Sequence, residues 1–215
     1  MNPGRRQRLA VALAAAGLVV CATAAAANQP STTYLDKPAG FRITIPKTWQ
    51  PVPRSVAGVK ALIKQLDKKK ETELARVYSA IISTAAGRSE LTNFAFQAFL
   101  YPPISSIQTD VSLGIVRTPK AYGVNDLPSI GDTFANKFAT TKGSKILKPT
   151  VVTLPAGPAA FIEGTEPAGG GVSTGFELYL IPHGKLLYEP SFRIDASALS
   201  SATIFASITR LFAFV

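Results

Sequence analysis

Cysteine, histidine, methionine and tryptophan each occur once in these 215 residues, and that scarcity narrows the chemistry at the outset. A single thiol, Cys21, cannot close an intramolecular disulfide. A single imidazole, His183, excludes a multi-histidine metal site and leaves any histidine-dependent triad resting on one side chain. Charge is sparse as well: 17% of residues are Asp, Glu, Lys or Arg, against 47% apolar. That balance fills a core and excludes wholesale disorder. The apolar run from Leu9 to Val20 is short and rich in small residues, which disfavours a permanent membrane span. The length suits one ordinary domain.

What charge there is leans one way, with 23 Lys and Arg against 13 acidic residues, a net of +10. Arg5, Arg6 and Arg8, the greasy stretch after them and the small residues Ala22 to Ala27 form a secretory signal pattern over 1–27. Ala25 and Ala27 meet the small-x-small requirement, so cleavage is expected between Ala27 and Asn28. Two alternatives stay open. Cys21 could carry a lipid anchor, although Val20 stands where that signal prefers Gly, Ala or Ser, or the signal could stay uncleaved. A twin-arginine reading of Arg5-Arg6 is weakened by Arg8. Export places the protein outside the cytoplasm, secreted or in the periplasm or cell-wall space, and speaks against nucleic acid as a partner. The basic excess survives loss of the leader and lies before residue 143; after it, charges balance. Outside the membrane such an excess suits anionic lipid, wall polymer or an acidic protein, or serves solubility alone.

Residues 28–33 read as a flexible lead to one domain over 34–215. Phe41, Ile43 and Ile45 alternate with Arg42 and Thr44, the signature of a half-buried strand, and Trp49 is expected to close one end of the core. Ser55 is placed to cap a helix. Val56, Val59, Leu62, Ile63 and Leu66, then Leu74, Val77, Tyr78, Ile81 and Ile82, recur at helical spacing. Residues 67–73 between them read either as the waist of one helix or as a joint between two, and 85–88 as a break. Strands are expected at 94–101 and 111–116. A helix should follow from Asp126 as its cap to about Thr141, ended by Gly143. Four strands at 145–154, 159–165, 176–181 and 186–194, with a tight turn at 182–185, precede a closing helix over 197–211. The expected class is α+β: an α/β/α sandwich whose central antiparallel sheet of about six strands is flanked by helices.

Chemistry-bearing residues are few. His183 sits in an expected turn, where rigid catalytic geometry is rare. Gly171-Val172-Ser173-Thr174-Gly175 has the letter spacing of a nucleophile elbow, yet a strand follows where a helix is required. Glu163, Glu166, Glu177 and Glu189 fall in neighbouring strands. Glu177 and Glu189 would face each other across the hairpin if they formed a hydrolytic pair, whereas ordinary alternation makes all four solvent-facing. No Asp-x-Asp spacing or phosphate loop occurs, so no metal and no cofactor is assigned. Phe94, Phe96, Phe99 and Tyr101 could stack a ligand, but a strand buried on both faces needs less. Lys64, Lys68, Lys69 and Lys70 form the densest basic cluster and the candidate partner surface, although a solvated helix face accounts for them more simply.

Pro38-Ala39-Gly40-Phe41-Arg42-Ile43-Thr44-Ile45-Pro46 followed by Trp49, the Leu154-Pro155-Ala156-Gly157 turn, the 176–188 hairpin and the terminal Phe212 and Phe214 together resemble exported bacterial members of the PsbP-like superfamily. The resemblance spans about 34–214. It implies an α/β/α sandwich around an antiparallel sheet. The superfamily includes the photosystem II extrinsic P-subunit and a Ran-binding import factor, and its members act mostly by binding other proteins. The expectation is an exported, non-enzymatic binding or accessory protein at the cell envelope, whose partner is another envelope protein or an anionic envelope component. Helix 56–82 and loops 102–110 and 166–175 are the expected contact surfaces. The alternative is a small envelope hydrolase using the strand glutamates or Ser173.

Overall fold

The structure, a computed structural model, describes residues 30–103, 108–169, 171–197 and 203–215. The leader, its Ala27–Asn28 junction and Cys21 lie outside the described residues. Among those described, no helix is long and apolar enough to cross a membrane.

Eleven strands and five α-helices alternate along the described chain. Strands β1 (Ser31–Asp36), β2 (Phe41–Pro46) and β11 (Ala213–Phe214) form a small antiparallel sheet with β2 in the middle. The residues expected to be a flexible lead are therefore partly wrong: Ser31 pairs with Pro46 and Thr33 with Thr44, because the alternating β2 needs a partner on each edge. The main sheet has eight strands, more than the six expected. Its order begins with β3 (Trp49–Pro51), β4 (Phe96–Leu100) and β5 (Asp110–Arg117). It continues through β10 (Leu186–Asp195), β9 (Val172–His183) and β8 (Gly157–Gly169) to β6 (Lys145–Ile146), with β7 (Thr150–Leu154) also on β8. All of its ladders are antiparallel. The single strand expected over 145–154 divides in two at Pro149, which has no amide hydrogen to donate.

Both faces of this sheet carry packed elements. One face carries Phe96, Val111, Leu113, Tyr179, Tyr188 and Phe192, packed under the small sheet and α5 (Thr203–Arg210). Phe41, Ile43 and Ile45 of β2 are fully buried there, and Phe205 stacks on Phe192 at 4.7 Å. Trp49 closes this core from edge strand β3 at 2% exposure. The closing helix is shorter than expected in its described part, since Leu211 and Phe212 leave it and β11 follows.

The opposite face carries the other four helices. Ser55 accepts from the Gly58 amide at 3.0 Å and starts α1 (Val56–Lys68). The 67–73 segment is a joint: α1 ends at Lys68, Lys70 adopts φ +61°, and α2 (Thr72–Ser83) begins afresh. The break at 85–88 is displaced by one residue. Extended Thr84 ends α2, and 85–88 open a third helix, α3 (Ala85–Asn93). Val59, Leu66, Leu74 and Tyr78 pack on Phe99, with the Tyr78 ring 5.1 Å from it. Phe96 and Phe99 thus serve opposite faces, and no stacking platform forms. The helix α4 (Leu127–Ala139) covers the other end through Leu127, Ile130, Phe134 and Phe138. Asp126 does not cap it with its side chain. Its carboxylate instead accepts from Gly123 N and Lys120 Nζ within the preceding 3-10 turn, and α4 closes at Thr140, before Gly143.

Candidate functional site

Between α4 and the α2–α3 pair the helix-side face of the sheet is left as a trough. Its floor is made where β5 and β10 meet, and small or polar residues replace the aliphatic ones found elsewhere. Gly114 lies opposite Glu189, Ser112 opposite Ser191 and Asp110 opposite Arg193. The two serine hydroxyls are 2.7 Å apart and satisfy one another. Larger apolar side chains here would have extended the core and sealed the trough.

Phe134, Phe138 and Phe176 wall a cavity of about 190 Å³ over this floor, with Gly114, Glu189 and Arg193 also facing it. Phe138 packs on Phe176 at 4.8 Å. Glu189 Oε1 is buried and has no hydrogen-bonding partner among the described residues. Burial pushes the Glu189 carboxyl above the usual carboxylate range, while the Lys137 ammonium pulls it back. Asp110, in a neighbouring cavity of about 310 Å³ under α2 and α3, is pushed by burial up to about 6; Arg193 opposes that rise and Glu90 adds to it.

A larger cavity of about 430 Å³ shares Phe134 as a wall and opens towards the other end of α4. Arg117, Lys120 and Lys137 face it together with Asp126. Lys120 donates to Asp126 at 2.9 Å, which raises the lysine and, with the Gly123 amide, lowers the aspartate. Lys137 Nζ stands 4.8 Å from the centre of the Phe134 ring. The trough therefore combines an aromatic wall, one unpartnered carboxylate oxygen and a basic rim.

The residues singled out in the sequence are scattered. Lys64 and Lys68 follow Lys60 at four-residue intervals on α1, and Lys69 and Lys70 occupy the joint; all five are exposed. Ser173 and His183 are ten positions apart on β9, roughly 33 Å along an extended strand. Both are exposed, and the His183 ring stacks on Phe214 at 4.0 Å. Residues 182–183 belong to β9, so the turn narrows to Gly184-Lys185. The expected 166–175 loop is mostly the paired ends of β8 and β9, and residues 104–107 of the 102–110 loop lie outside the described residues.

Glu177 and Glu189 do not face each other. Glu177 opposes Phe192 in β10 and Glu163 in β8, on the face under α5, whereas Glu189 opposes Gly114 on the helix-side face. Nor are all four glutamates solvent-facing. Glu177 is 7% exposed, and burial with the nearby Glu163 charge pushes it to about 7, against a hydrogen bond from Tyr179 Oη at 3.0 Å. Alternation placed Glu177 on a face it took to be solvated, but β9 is covered on both sides. The trough itself was missed. Its only sequence signal is the pairing of Ser112-x-Gly114 with Glu189-x-Ser191, and that pairing depends on a register between distant strands.

No protein-family model matches this sequence, and no curated protein matches it in sequence. Solved structures do match in shape. The cyanobacterial PsbP protein CyanoP of Synechocystis superposes with a TM-score of 0.55 at 11% identity, covering 86% of this chain and 92% of its own. LpqN of Mycobacterium tuberculosis, described as involved in cell envelope biogenesis, matches at 0.51 and 8% identity over 87% of each chain. The Ran-binding protein Mog1p of Saccharomyces cerevisiae matches at 0.45 and 9% identity over 86% of this chain and 95% of its own. The chain has the PsbP-like fold, an antiparallel α+β sandwich.

Proposed function

We propose that this chain is an exported, non-enzymatic binding protein of the cell envelope, and that the trough beside α4 receives part of a partner protein. The observation that carries the reading is the trough: a concave aromatic wall with a few polar groups on a rigid sheet, the usual form of a recognition site. The separation of Ser173 from His183, and the placing of Glu177 and Glu189 on opposite faces of the sheet, support it against acyl transfer and against hydrolysis by that glutamate pair; Glu177 does meet Glu163, but 7% exposure leaves it little room for a substrate. The envelope role described for LpqN is consistent with this assignment. The exposed row Lys60, Lys64 and Lys68 adds a contact for an anionic envelope component, because none of these ammonium groups has an ion-pair partner among the described residues.

Cell fractionation combined with a photo-crosslinking residue in place of Thr133, on the trough rim, tests the assignment. The expected result is a crosslinked envelope protein, with adducts from the Lys64 position that decline as salt rises. Location in the cytosol would overturn it. So would esterase or glycosidase turnover that disappears in Glu177→Gln or Ser173→Ala, which is the hydrolase alternative.

A further inference from the structure

We infer that the cavity between α4 and the β5–β10–β9 stretch binds an organic cation, an ammonium or guanidinium group, between the Phe134, Phe138 and Phe176 rings and the Glu189 carboxylate. This deepens the trough reading and rests on it. Three observations converge. The first is the carboxylate oxygen itself: Glu189 Oε1 is buried without a partner among the described residues, a costly arrangement that the charge of a bound cation would relieve, with an N–H donor where the cation has one. The second is the wall. Aromatic faces carry negative potential and attract cations, and the protein's own Lys137 ammonium already stands over Phe134 at 4.8 Å. The third is size: about 190 Å³ lies below the roughly 300 Å³ at which pockets for drug-sized ligands begin, so a headgroup fits and a long ligand does not.

Of the charged groups that face the small cavity, two are carboxylates, Glu189 and Glu166, and one is a cation; the basic rim of Arg117, Lys120 and Lys137 borders the adjoining, larger cavity. Among the described residues Arg193 is the one cation facing the cavity, and it opposes Asp110 across the β5–β10 ladder, where its charge partly offsets the rise that burial gives that carboxyl. Glu166 faces the same cavity and adds a second negative charge. Lys137 is the internal competitor, close enough to pull on Glu189 yet not in an ion pair with it. Gly114 keeps the carboxylate in place: a Cβ there would stand 3.2 Å from Glu189 Oε2 and press it aside.

Choline is the probe, titrated into the isotope-labelled full chain and followed by amide shifts, beside its neutral dimethylbutanol isostere, acetate and Nα-acetyl-lysine amide, whose side-chain ammonium is free. Choline should move Gly114, Glu189 and Phe138 saturably, with the isostere at least about fivefold weaker. Glu189→Gln should weaken choline about tenfold, and Lys137→Gln should tighten it about twofold by removing the competing charge. Tighter binding of the lysine amide than of choline assigns the cation to a polypeptide side chain; the reverse assigns it to a free quaternary amine. Equal binding of the isostere, or acetate acting where choline does not, would overturn the inference. If Glu189→Gln does not fold, Gly114→Ala takes its place, and failure of it and Lys137→Gln to shift affinity in opposite directions is equally fatal. Crosslinks at Thr133 that persist while choline fails would remove the cation alone and leave the binding surface standing.

Discussion

Glu177 shows how one side chain can set the response of the whole fold to pH. Burial raises its folded-state value to about 7 from an ordinary 4.5, so the native protein holds this proton to higher pH than the unfolded chain does. The stability tied to it is complete below pH 4.5 and is lost as pH rises towards 7. Asp110, raised to about 6, acts in the same direction. Urea unfolding at pH 5 and pH 8 should therefore give a more stable protein at pH 5 than the remaining carboxylates allow. Glu177→Gln should flatten that difference by on the order of 2–3 kcal/mol, the worth of the shift. An unchanged pH slope in the variant would contradict the buried-carboxyl assignment.

Among the elements, the α2–α3 corner is tightly constrained. Thr84 leaves the helical region and its hydroxyl accepts from the Gly87 amide at 3.0 Å, so the chain restarts as α3 within one residue. A Cβ on Gly87 would overlap the Ile81 carbonyl oxygen, which belongs to backbone and cannot rotate away. Gly87→Ala should lower stability by roughly 1–3 kcal/mol, the usual cost of forced overpacking, read as a fall in the urea midpoint. Helical periodicity reveals both apolar stripes, 56–66 and 74–82, and the break near 85–88, but not the immediate restart of the chain as α3. A run of Ala, Gly, Arg and Ser carries no apolar repeat, and only the steric fit against Ile81 reveals why glycine stands there. The joint at Lys69 and Lys70 is similar: the charge run permits helix or turn, and the packing of α1 against α2 on Phe99 selects the turn.

At the level of the whole molecule, two sheets and α5 meet at Phe192. It is fully buried, stacks on Phe205 at 4.7 Å and lies edge-on to Tyr179 at 6.2 Å. Phe192→Ala should cost about 3–5 kcal/mol, because the void opens between layers anchored by separate ladders that cannot close over it. Thermal unfolding should show that loss as one cooperative transition shifted downward; a small loss would mean the layers collapse more freely than their ladders suggest. The trough depends on the same architecture, since two helical groups anchored at opposite ends of an eight-stranded sheet leave its middle uncovered.

The sequence by itself determined the local order of the chain. Alternation in 41–45, helical spacing in 56–82 and 127–138, and the turns at Gly157 and Gly184 all act over a few residues, where backbone sterics and the period of apolar side chains decide the outcome. The tertiary structure alone decided which face each strand residue serves and which distant residues meet. Glu177 became buried because α5 covers its face, and Glu189 came to lie opposite Gly114 because β10 pairs with β5 across more than seventy intervening residues. Cross-strand register is set by the summed burial of whole strands, so no short stretch of sequence encodes it, and the trough is built from that register.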